Sequence, residues 1–173
     1  MDDLRKLEAE RQKGLSQIES TKEKKERSLL GQFPTPIQLS DEILEVSLHY
    51  LENNTIEFLD PAAGSGTFFS SLLRIYQKPW SLKSAIGFEI DPDYANLCNR
   101  LWGPCGMRAI NLDFTKKSPD TNWKSNLLVC NPPYSRHQFL TFEEKERLQQ
   151  MSEQFSGVKP NKRSGLYTYF LLI

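Results

Sequence analysis

The chain has 173 residues, 38% of them hydrophobic, enough to bury one sizeable core and to make one folded domain with appendages the expectation. Lys+Arg and Asp+Glu balance at 22 each, so there is no global basic field to hold a nucleic acid, and any such contact must come from a local patch or from further chain. Cys98, Cys105 and Cys130 lack metal-ligand spacing and no apolar run approaches membrane-spanning length, which predicts a reduced, cytoplasmic protein with neither metal nor membrane partner.

From Met1 to Ser28 the residues are mostly Lys, Arg, Glu and Gln, with Leu4, Leu7, Leu15 and Ile18 on one narrow stripe of a helix. Gly14 weakens its middle by about 1 kcal/mol relative to Ala. The pattern predicts a charged helix over 1–28 that either leans on the main domain, 29–173, or on another domain, or stays solvated and frayed. Gly31, Pro34 and Pro36 then interrupt the chain. A second helix is expected to start near Ser40 or Asp41, with Ser40 as N-cap and Ile43, Leu44, Val46, Leu48 and Leu51 on its buried side.

Thr55 to Leu59 reads as a first buried strand, and Asp60-Pro61-Ala62-Ala63-Gly64-Ser65-Gly66-Thr67-Phe68 as the loop into a helix over 68–76. Glycines there permit a tight turn and a close backbone approach to a ligand, and the helix start favours negative groups. A dinucleotide fingerprint is excluded, because its third glycine would fall at Phe69. A second strand over 85–90 ends at Glu89 and Ile90, and Asp91 is placed to cap a helix with Tyr94, Leu97 and Leu101 facing inward. A third strand, Met107 to Asn111, leads to Asp113 and Phe114. A fourth, Leu127 to Cys130, reads as buried on both faces and is stopped by Pro132 and Pro133.

Asp60, Glu89, Asp113 and Asn131 thus arrive in succession along one edge, where a parallel sheet binds its ligands. Asn131 and Pro132 offer two carbonyl acceptors suited to an –NH2 group, and Tyr134 offers a flat ring for stacking on a planar base. Asn131-Pro132-Pro133-Tyr134 resembles the catalytic motif of amino-group DNA methyltransferases, in the Asn form of those acting on adenine N6. Gly31-Gln32-Phe33-Pro34-Thr35-Pro36 resembles the segment that precedes the cofactor loop in the gamma class of that family. Asp60-Pro61 followed by Gly64 and Gly66 resembles its S-adenosylmethionine loop. The resemblance spans about 29 to 173 and lies in the order of the segments, each roughly a βαβ half-unit apart.

The resemblance implies an α/β fold: a Rossmann-like sheet of the S-adenosylmethionine-dependent methyltransferases, with helices on both faces and an incomplete C-terminus. It implies a restriction-modification type of enzyme with S-adenosylmethionine as cofactor. Thr35 would meet the methionine carboxylate, Asp60 the ammonium, and Pro61, Ala62, Gly64 and Gly66 would form the loop around it. Glu89 would take the ribose hydroxyls, and Ile90, Asp113 and Phe114 the cofactor's adenine. Asn131, Pro132 and Tyr134 would receive an adenine flipped out of double-stranded DNA.

Beyond Ser135, Arg136 and His137, which have phosphates or bases within reach, an exposed helix is expected over 142–151. The loop over 156–165 carries Lys159, Lys162 and Arg163, either contacting DNA phosphates or simply solvated. An apolar helix starts at Leu166 and stops at Ile173, where a complete family member would continue into more strands and a DNA-reading domain. A fragment or half of a split enzyme is therefore expected, its recognition module lying C-terminally or in a second subunit. Two alternatives stay open: a methyltransferase of RNA or of a protein glutamine amide, and a catalytically silent partner subunit.

Overall fold

The first strand, β1 (Thr55–Asp60), lies inside the sheet. It pairs in parallel on one side with β2 (Ser81–Glu89), which carries β3 (Met107–Asn111) beyond it, and on the other with β4 (Leu127–Leu128). The computed structural model describes residues 2–22, 33–52, 54–75, 80–116 and 125–173. The strand order β3-β2-β1-β4 means that the chain steps outward from β1 to β3 and then returns to the far side of β1. A crevice opens at such a reversal, outside the carboxyl ends of β1 and β4, and this is where open α/β sheets bind ligands.

Burial along β1 alternates, with Ile56, Phe58 and Asp60 inside and the residues between them half-buried. Ile56 and Phe58 share the core with Ala85, Met107 and Ala109 of the neighbouring strands. That face packs under α3 (Thr67–Ile75) and α4 (Pro92–Trp102), where Phe58, Phe69 and Trp102 make successive edge-on ring contacts. Two more helices lie against this pair: α1 (Asp2–Thr21) on α4 and α3, and α2 (Ile37–His49) on α3. The α5 helix (Phe142–Ser156) packs on α6 (Leu166–Leu172). Phe88, pointing to the opposite face from its neighbour Glu89, meets Phe114, which in turn meets Phe170 of α6. Helices thus cover both faces of the sheet.

Several elements depart from the sequence expectation. The α2 helix begins at Ile37, not near Ser40. Pro36 presets the entry (φ −58°), and its carbonyl accepts the Ser40 N–H at 3.0 Å, so Ser40 is buried within the helix rather than capping it. Leu44 and Leu48 are its buried apolar residues, whereas Ile43 and Val46 face outward because α3 covers a narrower stripe than the composition allowed. The fourth strand pairs only over two residues, and Leu128 is 57% exposed rather than buried on both faces. Asn126 sets its register, bonding the Glu57 N–H and the Thr55 carbonyl. The second strand starts earlier, at Ser81, and α5 runs on to Ser156, opened by a reciprocal cap between Thr141 and Glu144. The expected positions Gly31, Gln32 and Tyr76 lie outside the described residues. No helix among the described residues is long and apolar enough to cross a membrane.

The loop after β1 needs glycine twice. Gly64 (φ 54°) and Gly66 (φ 82°) both take the left-handed conformation, but only Gly66 is crowded: an added Cβ would lie 2.5 Å from Trp102 Cδ1. Gly64→Ala is expected to carry the left-handed backbone cost of about 1–2 kcal/mol. Gly66→Ala should add overpacking of about 1–3 kcal/mol on top. Urea unfolding of the two variants checks this, and equal losses would remove the Trp102 contact from the account.

Candidate functional site

The carboxyl ends of the four strands surround one cavity of about 480 Å³. The loop after β1 supplies Pro61 to Ser65 as one wall, and the end of β2 supplies Glu89 and Ile90. The turn after β3 supplies Asp113 and Phe114, while Asn131 stands at the end of β4 with Thr35 beside it. Of the four strand-end residues expected along this rim, Glu89, Asp113 and Asn131 line the cavity. Asp60 lies beneath the loop instead, 1% exposed.

Glu89 joins the first two walls. Its Oε2 accepts the Gly64 N–H at 2.9 Å and its Oε1 accepts the Asp91 N–H at 2.8 Å. A carboxylate has about four lone-pair positions, so each oxygen keeps acceptor capacity toward the cavity. Burial lifts its pKa above the ordinary value, opposed by those two N–H bonds; the charge of Asp91 adds to the rise and Lys22 counters it. Asp60 is a stronger case. Its Oδ1 accepts the Ala62 N–H at 3.1 Å, while Oδ2 is buried with no hydrogen-bond partner among the described residues. Burial pushes it up to about 8, the Ala62 bond pulls against this, and the charge of Glu89 raises it further. An open carboxylate facing a ligand was the expectation; what stands there is a buried acid underpinning the loop.

Asn131 is oriented by a segment far away in the chain. Its Nδ2 donates to the Phe33 carbonyl at 2.9 Å and to the Thr35 hydroxyl at 3.0 Å. Both amide hydrogens are thereby used, and the side-chain oxygen is the end left for a ligand. Thr35 accepts from Asn131 and retains its own O–H to donate. Asp113 caps the short turn Phe114–Lys116, its Oδ1 accepting from the Thr115 N–H and hydroxyl at 2.9 and 2.8 Å, with Lys116 Nζ 3.8 Å from Oδ2.

Pro132 and Tyr134 stand just outside the cavity wall. The Tyr134 ring is 53% exposed and tilted 36° to Tyr167, 6.2 Å away. Lys159, Lys162 and Arg163 are exposed and do not line the cavity. Lys159 lies 3.4 Å from Glu153, and Lys162 lies 3.5 Å from Glu146 and over the Phe142 ring. The two lysines thus each have an acidic partner on α5.

Several contributors escaped the sequence reading. Leu15 of α1, Phe170 of α6 and Arg147 of α5 line the cavity, Arg147 anchored on the Thr115 hydroxyl at 3.1 Å. Arg11 and Glu8 of α1 are buried against the loop. A signal for these last two existed: the apolar stripe skips from Leu7 to Leu15, and positions 8 and 11 fall inside that gap on the same face.

Residues 18–173 match the family model described as N-6 DNA Methylase. Among solved structures, the chain resembles a protein of Listeria monocytogenes designated a class I S-adenosylmethionine-dependent methyltransferase (TM-score 0.60, 14% identity, 82% of this chain and 42% of that one). It also resembles the methyltransferase subunit of a type I restriction-modification system from Streptococcus thermophilus (TM-score 0.61, 19% identity, 81% of this chain and 31% of that one). At these identities the likeness establishes the fold, and the chain spans less than half the length of either structure.

Asp60 makes stability depend on pH in the direction opposite to a salt-bridged carboxylate. The folded state holds its proton up to about pH 8, whereas the unfolded chain gives it up near 4. Its contribution is therefore fully present below about pH 4 and is lost as pH climbs through the folded value. Urea midpoints at pH 5 and pH 8 should fall for the wild type and fall less for Asp60→Asn. A steeper fall in the variant would contradict the buried, protonated state.

Proposed function

The chain belongs to the N-6 DNA methylase family, and on that premise we propose that it forms the cofactor- and amine-binding part of an enzyme that methylates adenine N6 in double-stranded DNA. The observation that carries this reading is the orientation of Asn131. With both amide hydrogens given to Phe33 and Thr35, its oxygen has no hydrogen-bond donor among the described residues and is the acceptor left on a residue that lines the cavity. A donor such as an exocyclic amine suits that position; a carbonyl does not.

Two features favour S-adenosylmethionine as the group this cavity holds. Nothing lies within 4 Å of a Cβ added at Gly64, so the loop presents bare backbone to the cavity. Glu89, on the same cavity, keeps acceptor capacity on both oxygens, which suits a pair of hydroxyls, while Asp60, buried beneath the loop, supports it from below. The bound cofactor supplies a methyl group already activated by its sulfonium. Thr35 then offers its hydroxyl proton to the carboxylate end, and Glu89 its remaining lone pairs to the ribose. Ile90, Phe114 and Asp113 form the adenine end, and Pro61, Ala62 and Gly66 shape the loop.

Asn131 and the Pro132 carbonyl accept the two hydrogens of the target amine, which draws the nitrogen lone pair out of conjugation with the ring and toward the methyl. Holding nitrogen and methyl in line is most of the remaining work. Tyr134, half exposed at the end of the motif, recovers part of the stacking that the base loses on leaving the duplex. The order Thr35, loop, Asn131 is the gamma arrangement. We place the reaction in the cytoplasm, with sequence reading supplied by a recognition module outside these residues.

Labelled methyl transfer to unmethylated duplex DNA, with and without a candidate DNA-reading subunit, followed by digestion to nucleosides, tests the proposal. Label should appear in N6-methyladenine; label in cytosine, RNA or a protein glutamine would overturn it. Asn131→Ala should lower transfer by about 10²–10³-fold or more while cofactor binding survives.

A further inference from the structure

We infer that α1 is a wall of the cofactor site and that Arg11 is a positioning residue for the cofactor loop, an inference that rests on the cofactor reading above. Arg11 and Glu8 are 3% and 8% exposed, paired through Nε and Nη2 to the two Glu8 oxygens at 2.8 and 2.7 Å. Burial opposes ionisation of Glu8, and hydrogen bonds from Arg11 and Ser70 outweigh it, so its carboxyl stays below the ordinary value. Helix docking alone does not call for such a pair, since well-packed apolar residues usually stabilise as much or more. What the charges add is directed hydrogen bonding. Arg11 Nη1 donates to Ser65 Oγ at 2.8 Å and to Thr67 Oγ1 at 3.1 Å, the two residues that flank Gly66. Ser70, one turn into α3, donates to Glu8 at 2.6 Å.

The loop is therefore held from two directions. Trp102 at the end of α4 donates from Nε1 to the Ser65 carbonyl at 3.0 Å, while Arg11 takes the Ser65 side chain. Close docking of α1 on α4 is possible because residue 14 is glycine: an added Cβ would sit 2.7 Å from Leu97. Farther along, α1 places Leu15 in the cavity wall, and just past its end Lys22 pairs with Asp91 and Asp93, next to the N–H that Glu89 accepts. One helix thus touches both the loop end and the Glu89 end of the same cavity. Its effect is to hold the Gly64 N–H and Glu89 in mutual register before a ligand arrives. Losing it should weaken cofactor affinity and leave turnover at saturating cofactor little changed.

The test compares wild type, Glu8→Leu/Arg11→Leu, Arg11→Lys and Ser65→Ala in the full chain. Calorimetry with S-adenosylhomocysteine gives the affinity, and hydrogen exchange of the ligand-free chain gives the protection of 61–72. The double leucine variant leaves no unpaired charge behind. It should melt near wild type, bind about 10-fold or more weaker, and exchange faster in the loop. Arg11→Lys should recover part of the affinity. Ser65→Ala keeps the helix pair intact and should weaken binding in the same direction, which keeps the inference testable if the double variant unfolds. Unchanged affinity in Ser65→Ala, or in a folded double variant, overturns the role of Arg11 alone. Failure of the wild type to bind overturns the cofactor reading and this inference with it.

Discussion

A carboxamide has a donor end and an acceptor end, and which one faces a ligand depends on what holds the other. In this chain the Asn131 –NH2 is held by the Phe33 carbonyl and the Thr35 hydroxyl, groups 98 and 96 residues away in sequence. The prolines on both sides contribute to this. Pro34 and Pro36 have no N–H, so the segment that meets Asn131 presents acceptors; Pro132 and Pro133 likewise put no donor next to the Asn131 oxygen. The acceptor character of the free end of Asn131 depends on those two hydrogen bonds. They exist only when β4 and the 33–36 segment are both docked, so the geometry is a tertiary product rather than a property of the tetrapeptide.

The electrostatics of the cofactor side follow a similar logic. Asp60 and Glu89 are both buried near the loop, and burial raises both, with the charge of Glu89 adding to the effect on Asp60. A chain with no net charge has no general positive field to relieve such crowding. For Glu89 the opposing charge is Lys22, just past the end of α1 and paired with Asp91, whereas Arg11 is matched by Glu8. Of the expectations for the N-terminal helix, leaning on the main domain, leaning on another domain or staying solvated, the packing of α1 on α3 and α4 fits the first, and Lys22 beyond its end puts a cation beside the end of β2.

Local patterns made the strands, the glycine loop and the strand-end residues legible, because each is written in a few consecutive residues. Glu89, Asp113 and Asn131 could be placed on one cavity from topology alone, since parallel strands all end at the same rim. The depth of Asp60 was not legible: whether a strand-end carboxylate faces the ligand or lies under its loop depends on how the next three residues fold back over it. The outward turn of Ile43 and Val46, and the exposure of Leu128, depend on neighbours that a periodicity does not name. Glu8 and Arg11 look like a solvated pair at i,i+3 until the hydroxyls of Ser65, Thr67 and Ser70 are seen across from them. An arginine and a glutamate are read as surface by default, and only their position within the apolar stripe argued otherwise.

Thr35 is where the two sides of the cavity meet. Its oxygen accepts from Asn131 and its hydrogen is left to donate, so one rotatable hydroxyl connects the amine-facing amide to whatever occupies the cofactor side. An acceptor arriving there would hold the hydroxyl in the rotamer that leaves its lone pairs toward Asn131, and hydrogen bonds in such a chain strengthen one another. On the proposed reading, cofactor occupancy would thereby be coupled to the readiness of Asn131 without any movement of the backbone. The 33–36 segment lies on no strand, yet Phe33, Pro34 and Thr35 line the cavity and two of them hold the Asn131 amide. The switch point between β1 and β4 brings the loop and Asn131 to adjacent positions, and Thr35 closes the remaining gap between them.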